Sequence, residues 1–227
     1  MTRPSIFSRL STPVVIGLAC SAVFLVLFAL LADEMLEGDT RQFDDAVRLF
    51  VHAHSFTELT AVMRFLSIVG SPLVVTLIAT ASSIALWLVG HPRRAILIAV
   101  TVAGGSLLMW VLKIAFHRHR PDPFFDARLP SSYSFPSGHA MLSFCLCLSA
   151  AALFSASRKS RLARVTIWTF WVSLSGAIGY SRIYLGVHYP SDVIAGYLAA
   201  LVWSIAVGSV YQKWRKLPPP ATTTTSG

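Results

Sequence analysis

Between Pro13 and Ala32 the chain runs for twenty residues without one charged side chain, and five further stretches come close to the same pattern. A hydrocarbon layer takes roughly 20 apolar residues to cross as a helix. Helix is required there because no water is at hand to satisfy backbone amides. The candidate spans are 13–32, 72–89, 95–116, 137–155, 163–180 and 190–211. They predict an all-α integral membrane protein with six transmembrane helices. Only 13% of the 227 residues are charged, against about 25% in a soluble domain, too few to coat a globule in water. The first span stands where a signal peptide would. Its apolar run is long for one and no A-x-A site follows closely, so a retained helix is expected.

The basic residues then set the orientation. With the N-terminus inside, one face receives Arg3, Arg9, Arg93, Arg94, Arg158, Lys159, Arg161, Arg164, Lys213, Arg215 and Lys216. All ten acids fall on the other face. The formal charge of +9 is therefore a topology signal, helped by anionic lipid on the inner side, and nucleic acid is not expected as a partner. Cys20, Cys145 and Cys147 all lie within spans and are read as small apolar residues, with no disulfide or metal framework.

Residues 1–216 are expected to form one membrane domain, followed by a disordered tail at 217–227, "LPPPATTTTSG". The first outer loop, 33–70, holds seven acids and three bases. Within it Phe43, Ala46, Val47 and Phe50 recur at helical spacing while Asp44, Asp45 and Arg48 take other faces, which predicts a short amphipathic helix on the outer surface. "SFTE" at 55–58 has capping-box spacing, predicting a second short helix that breaks at "GSP", 70–72. His52 and His54 have no ligand cluster around them and are read as exposed surface histidines.

Three unusual segments converge on the outer side. In "KIAFHRHRP", Lys113 lies in the last turns of span three, where an ionisable group marks a site or snorkels to the interface. Arg120 is two turns on, and Pro121 ends the helix there. His117, Arg118 and His119 are read mainly as interface residues. In "PSGH", Ser137 is a natural N-cap, so the amides and dipole of the next helix form an anion site. Gly138 leaves room for an anion, and His139 stands beside it. In "SRIYLGVHYPSD", Pro190 suits the first helical position. That puts His188 just outside the helix and Asp192 in its first turn. A carboxylate there takes the proton of one imidazole nitrogen and leaves the other free as a nucleophile. Three cations, a helix N-terminus and two histidines describe a phosphate pocket. Asp122 and Asp126 lie in a proline-rich loop and are read as solvated charges, and no metal or other cofactor is expected, because clustered oxygen ligands are missing.

These residues carry a family pattern. "K-x6-R-P" at 113–121, "PSGH" at 136–139 and "SR-x5-H-x3-D" at 181–192 resemble the three-part signature of the type 2 phosphatidic acid phosphatase superfamily, in order and without departure. The six-helix layout resembles its small bacterial members, the phosphatidylglycerophosphate and undecaprenyl pyrophosphate phosphatases. The resemblance implies that His188 attacks phosphorus and forms a phosphohistidine, that Asp192 orients it and that His139 protonates the leaving oxygen. It implies that Lys113, Arg120, Ser137, Gly138 and Arg182 hold the phosphate oxygens. It also implies a metal-independent hydrolase of lipid phosphates or pyrophosphates. The expected place is the inner membrane, with both termini cytoplasmic and the site on the periplasmic or external side. Two alternatives share the pattern: a phosphotransferase using the same phosphohistidine, and a transporter or structural protein that uses the fold without catalysis.

Overall fold

The computed structural model describes residues 12–125 and 129–215. Arg3, Arg9, Asp126, Lys216 and the expected tail at 217–227 lie outside the described residues. Those described contain eight helices and no strand: α1 (Thr12–Glu37), α2 (Thr40–Ala53), α3 (Thr57–Val69), α4 (Pro72–Leu88), α5 (Pro92–Phe116), α6 (Gly138–Ser155), α7 (Arg161–Tyr184) and α8 (Pro190–Arg215).

Local chemistry accounts for most helix ends. Proline opens α4 and α5, where the missing N–H is no loss. Ser71 and Ser160 cap α4 and α7 by accepting from Val74 N and Ala163 N, each at 3.3 Å. Helix α1 stops at Gly38, whose φ of 91° only glycine adopts without cost. The expected capping box at 55–58 does not form. Helix α3 starts at Thr57 without a side-chain cap. A tertiary partner does the work: Tyr184 Oη accepts from Phe56 N at 3.3 Å and donates to Phe56 O at 3.2 Å.

Four helices, α1, α5, α6 and α8, are long and apolar enough to cross a membrane, and α3 with α4 makes a fifth if that pair, bent by 51°, counts as one. The sequence reading expected six. Helix α4 alone has 17 residues, short of a full span, and α7 is diluted by Trp, Tyr, Ser and Thr among its 24 residues. Helix α6 is the axis. It packs against α5, α7 and α8, while α1 lies along α8 and α4 along α5. In its apolar window 67% of α6 is buried, against 11% of α1, so α1 meets the surroundings and α6 does not.

Small residues let these helices close up. A Cβ on Gly104 would overlap the Trp203 ring, and one on Gly179 would overlap Tyr197 Oη. Ser143 and Ser175 exchange a hydrogen bond between α6 and α7 at 3.1 Å. The glycines of "AGG" and the Ser175/Gly179 pair are thus helix contacts. The cysteines are free: Cys145 and Cys147 are buried and Cys20 is exposed.

Candidate active site

The chain brings every predicted site residue to one end of the α5–α6–α7–α8 bundle. Lys113 comes from the last turn of α5, Arg120 from the segment after it, and Ser137, Gly138 and His139 from the start of α6. Arg182 comes from the last turn of α7, His188 from the α7–α8 connection and Asp192 from the first turn of α8. Two backbone features lock this convergence. Ser137 N donates to Asp192 O at 2.9 Å, which ties the start of α6 to that of α8. Gly186 takes a φ of 72°, with Phe124 N only 2.6 Å from where a Cβ would stand. Only glycine turns the chain there toward His188.

His188 is 1% exposed and Asp192 0%. His188 Nδ1 lies 3.2 Å from Asp192 Oδ2 and His188 Nε2 lies 3.1 Å from Arg120 Nη1. A carboxylate accepts and a guanidinium donates. The imidazole proton therefore sits on Nδ1, and Nε2 carries the lone pair. Burial pushes the His188 imidazole down to about 3, against the opposing pull of its hydrogen bond to Asp192, so the ring is neutral at physiological pH. Asp192 Oδ2 is shared further. It accepts from Tyr189 N at 2.9 Å and from Ser134 Oγ.

Three cations gather at this end of the bundle, and Arg120 is the one on Nε2. Arg120 Nη1 also donates to Val187 O at 2.9 Å, and Arg120 Nε to Ser132 O at 2.8 Å. Burial lowers the Arg120 guanidinium from its ordinary value and Asp192 partly restores it. It remains a cation at neutral pH. Lys113 Nζ donates to the carbonyls of Tyr133 and Ser134. Arg182 Nη1 donates to Ser67 Oγ of α3. Half-buried His139 lies within electrostatic range of Arg182, His188, Arg120 and Lys113.

Two buried groups here lack partners among the described residues, Ser137 Oγ and Arg182 Nε. Ser137 occupies the N-cap position of α6, but its side chain makes no cap hydrogen bond. Buried polar groups are almost always satisfied, so a serine that neither caps nor bonds is held for something else. At Gly138, the room a side chain would need belongs to α5: a Cβ would stand 2.5 Å from Met109 Sδ.

Three readings need correction. Arg118 is not an interface residue, because it pairs with Asp192 and Asp44. Asp44, read as one of the charges on the other faces of a surface helix, turns to the interior. It is 0% exposed, while Phe43 and Phe50 of the apolar face are exposed. His52 is half-buried, stacked on Phe124 at 4.0 Å, and its Nδ1 is buried without a partner. His54 is exposed and Asp122 is exposed, as expected. Ser134, Ser67 and Asp44 gave no sign in the sequence beyond their polarity. Each is identifiable only from what packs against it.

The family model described as the PAP2 superfamily matches residues 94–216, which hold all three signature segments. An undecaprenyl-diphosphatase of Sulfolobus acidocaldarius is 39% identical over 69 residues, 30% of this chain and 29% of that protein. A lipid A 1-phosphatase of Rhizobium etli is 34% identical over 122 residues, 50% of this chain and 48% of that one. The matches thus span about half or less of these relatives' lengths. The crystal structure of a transmembrane PAP2-type phosphatidylglycerolphosphate phosphatase of Bacillus subtilis superposes with a TM-score of 0.79 at 23% identity, covering 87% of this chain and 98% of that one. The fold is shared, and the chain is a multi-span membrane protein.

Proposed function

Because the chain belongs to the PAP2 superfamily, we propose that it is a membrane lipid phosphatase working through a phosphohistidine on His188. One observation carries the reading. A buried imidazole presents an unprotonated Nε2 to the Arg120 guanidinium, at the bundle end that also holds Lys113, Arg182 and two buried polar groups without partners among the described residues.

Phosphoryl transfer asks a protein mainly for in-line positioning and charge stabilisation. The lipid phosphate enters with its oxygens on Lys113, Arg120, Arg182, Ser137 Oγ and the first amides of α6, beside Gly138. Arg120 turns from Nε2 onto a phosphate oxygen and uncovers the lone pair. Nε2 attacks phosphorus in line. The P–O bond to the lipid breaks as His139 protonates the departing oxygen. Asp192 holds the Nδ1 proton and offsets the positive charge on the phosphorylated ring. Water, deprotonated by His139, then cleaves the P–N bond and releases phosphate. No step requires a metal or an organic cofactor.

The six-span layout extends the same reading, with α4 and α7 completing it and α2 lying on the outer surface. In α2 the exposed Phe43, Leu49 and Phe50 face lipid headgroups while Asp44 and Arg48 face the protein. Eleven bases on one face support a reading with both termini in the cytoplasm and the site on the outer side of the inner membrane. The favoured substrates are undecaprenyl pyrophosphate and phosphatidylglycerophosphate, the chemistry named in two of the relatives.

The test is phosphate release by purified protein in EDTA from undecaprenyl pyrophosphate, phosphatidylglycerophosphate, lipid A and phosphatidic acid. Release that is abolished in His188→Ala, with an acid-labile phosphoryl group trapped on the wild-type protein, supports the reading. Undiminished release by His188→Ala removes the nucleophile. Label moving to a lipid acceptor rather than to water makes the protein a phosphotransferase.

A further inference from the structure

Arg118 lies between two phosphate-facing cations in sequence, Lys113 and Arg120, yet its side chain turns the other way. Its Nη1 donates to Asp192 Oδ1 and to Ser191 Oγ, both at 2.7 Å. Its Nη2 donates to Asp44 Oδ2 at 2.7 Å. The guanidinium lies over the Tyr189 ring, 4.2 Å from the ring centre. Asp44 in turn closes the network on α8. Its Oδ1 accepts from Ser191 N at 2.9 Å and its Oδ2 from Ser191 Oγ at 2.6 Å. Asp44, Ser191 and Asp192 are each 0% exposed.

The two oxygens of Asp192 therefore have separate duties. Oδ2 serves His188, Ser134 and Tyr189 N, while Oδ1 is held by Arg118. A carboxylate clamped at Oδ1 cannot rotate away from the imidazole. Without the clamp, a buried oxygen loses its charged donor, and the carboxylate turns to find another or takes up a proton. Either outcome loosens the imidazole. Asp44 balances Arg118, and without it the guanidinium keeps only Asp192 as a charged partner. It also binds the N-terminus of α8, where Asp192 sits, to α2.

We infer that Arg118, held by Asp44, is a positioning residue for His188, acting through Asp192 without touching the substrate. The inference rests on the phosphohistidine reading above. It links a helix of the first outer loop to the reacting nitrogen.

The experiment compares Arg118→Met, Arg118→Lys and Asp44→Asn with wild type in detergent micelles. Inorganic phosphate is titrated calorimetrically, which counts formed anion sites. Turnover is measured with farnesyl diphosphate, with rapid-quench capture of the phosphoryl-enzyme. Arg118→Met and Asp44→Asn should bind about one phosphate with affinity near wild type. Turnover and phosphoryl-enzyme formation per phosphate site should fall by about thirty- to a hundredfold in Arg118→Met, as a nucleophile displaced by about 1 Å would. Asp44→Asn should fall less, about tenfold, because it keeps the shape of the network. Arg118→Lys, which reaches one carboxylate, should recover part of the loss. If turnover in Arg118→Met and Arg118→Lys falls only in step with phosphate sites, Arg118 is structural and the inference is overturned. Full turnover of His188→Ala sinks the underlying reading whatever Arg118 does, so the two failures are distinct.

Discussion

His188 is asked to be buried and uncharged, and pH reads out that demand. Burial holds it near 3 in the folded protein, while in an unfolded chain a histidine titrates near 6.5. Between those values the unfolded state binds a proton that the folded state refuses. Stability therefore rises with pH through this window, and the contribution, whole above about 6.5, is lost as pH falls toward 3. Thermal unfolding in detergent at pH 7 and pH 4.5 should show a steep drop for wild type and a shallower one for His188→Asn. Equal slopes would mean that His188 is not held neutral. Ser134 supplies the companion test. It donates to Asp192 Oδ2 from a fully buried position, and a hydrogen bond to a charged group is worth about 2 kcal/mol. Ser134→Ala should lower turnover by about tenfold with phosphate affinity kept. A turnover within twofold of wild type would show that Arg118 and Tyr189 N hold Asp192 unaided.

At the level of helices, the site depends on α8 lying against the start of α6. Gly196 makes that approach possible, since a Cβ there would stand 2.8 Å from Ser137 O. The backbone of a helix start does not yield as a flexible side chain does. Gly196→Ala should cost about 1–3 kcal/mol of stability and, by displacing Ser137, reduce turnover at least tenfold. Gly176→Ala is the control: nothing lies within 4 Å of its Cβ position, so both quantities should stay at wild type. A Gly196→Ala protein with wild-type turnover and melting point would show that the α6–α8 contact has slack. This contact also marks how far the sequence could be read. The start of α8 at Pro190 and the end of α5 at Phe116 fell at their expected places, because proline and long apolar runs act locally. The gathering of Lys113, Arg120, His139, Arg182, His188 and Asp192 was legible because each sits at or next to a helix end, and alternating helix directions bring those ends together. Arg118 and Asp44 were not legible. Periodicity shows that α2 has an apolar and a polar face, but not which of them meets the protein. In a membrane protein the apolar face can turn to lipid and the charged face inward, and only tertiary packing reveals which. The capping box at Ser55 failed for a similar reason, since the phenol of Tyr184 from α7 had already satisfied the start of α3.

For the whole molecule, the side of the membrane on which this pocket opens decides which leaflet's lipids it meets. Among the described residues, the bases expected on the inner face, Arg93, Arg94, Arg158, Lys159, Arg161, Arg164, Lys213 and Arg215, lie at the helix ends away from His188. Arg93 at the start of α5 donates to Arg215 O at the end of α8, at 3.2 Å, and stacks on Trp214. The described acids and the site share the opposite end. Inner loops rich in Lys and Arg are retained on the cytoplasmic side, so the pocket should face outward. Two added-cysteine reporters decide this in a Cys20→Ser background, in which the remaining native cysteines, Cys145 and Cys147, are buried. Leu129→Cys lies in the exposed segment between α5 and α6, and Lys159→Cys in the exposed connection between α6 and α7. On intact cells an impermeant maleimide should label Leu129→Cys at once and Lys159→Cys only after the membrane is opened. The reverse pattern would place the pocket on the cytoplasmic leaflet. An externally added lipid pyrophosphate would then be hydrolysed by lysed cells and not by intact ones, and the charge bias would have been overruled by the packing of the helices.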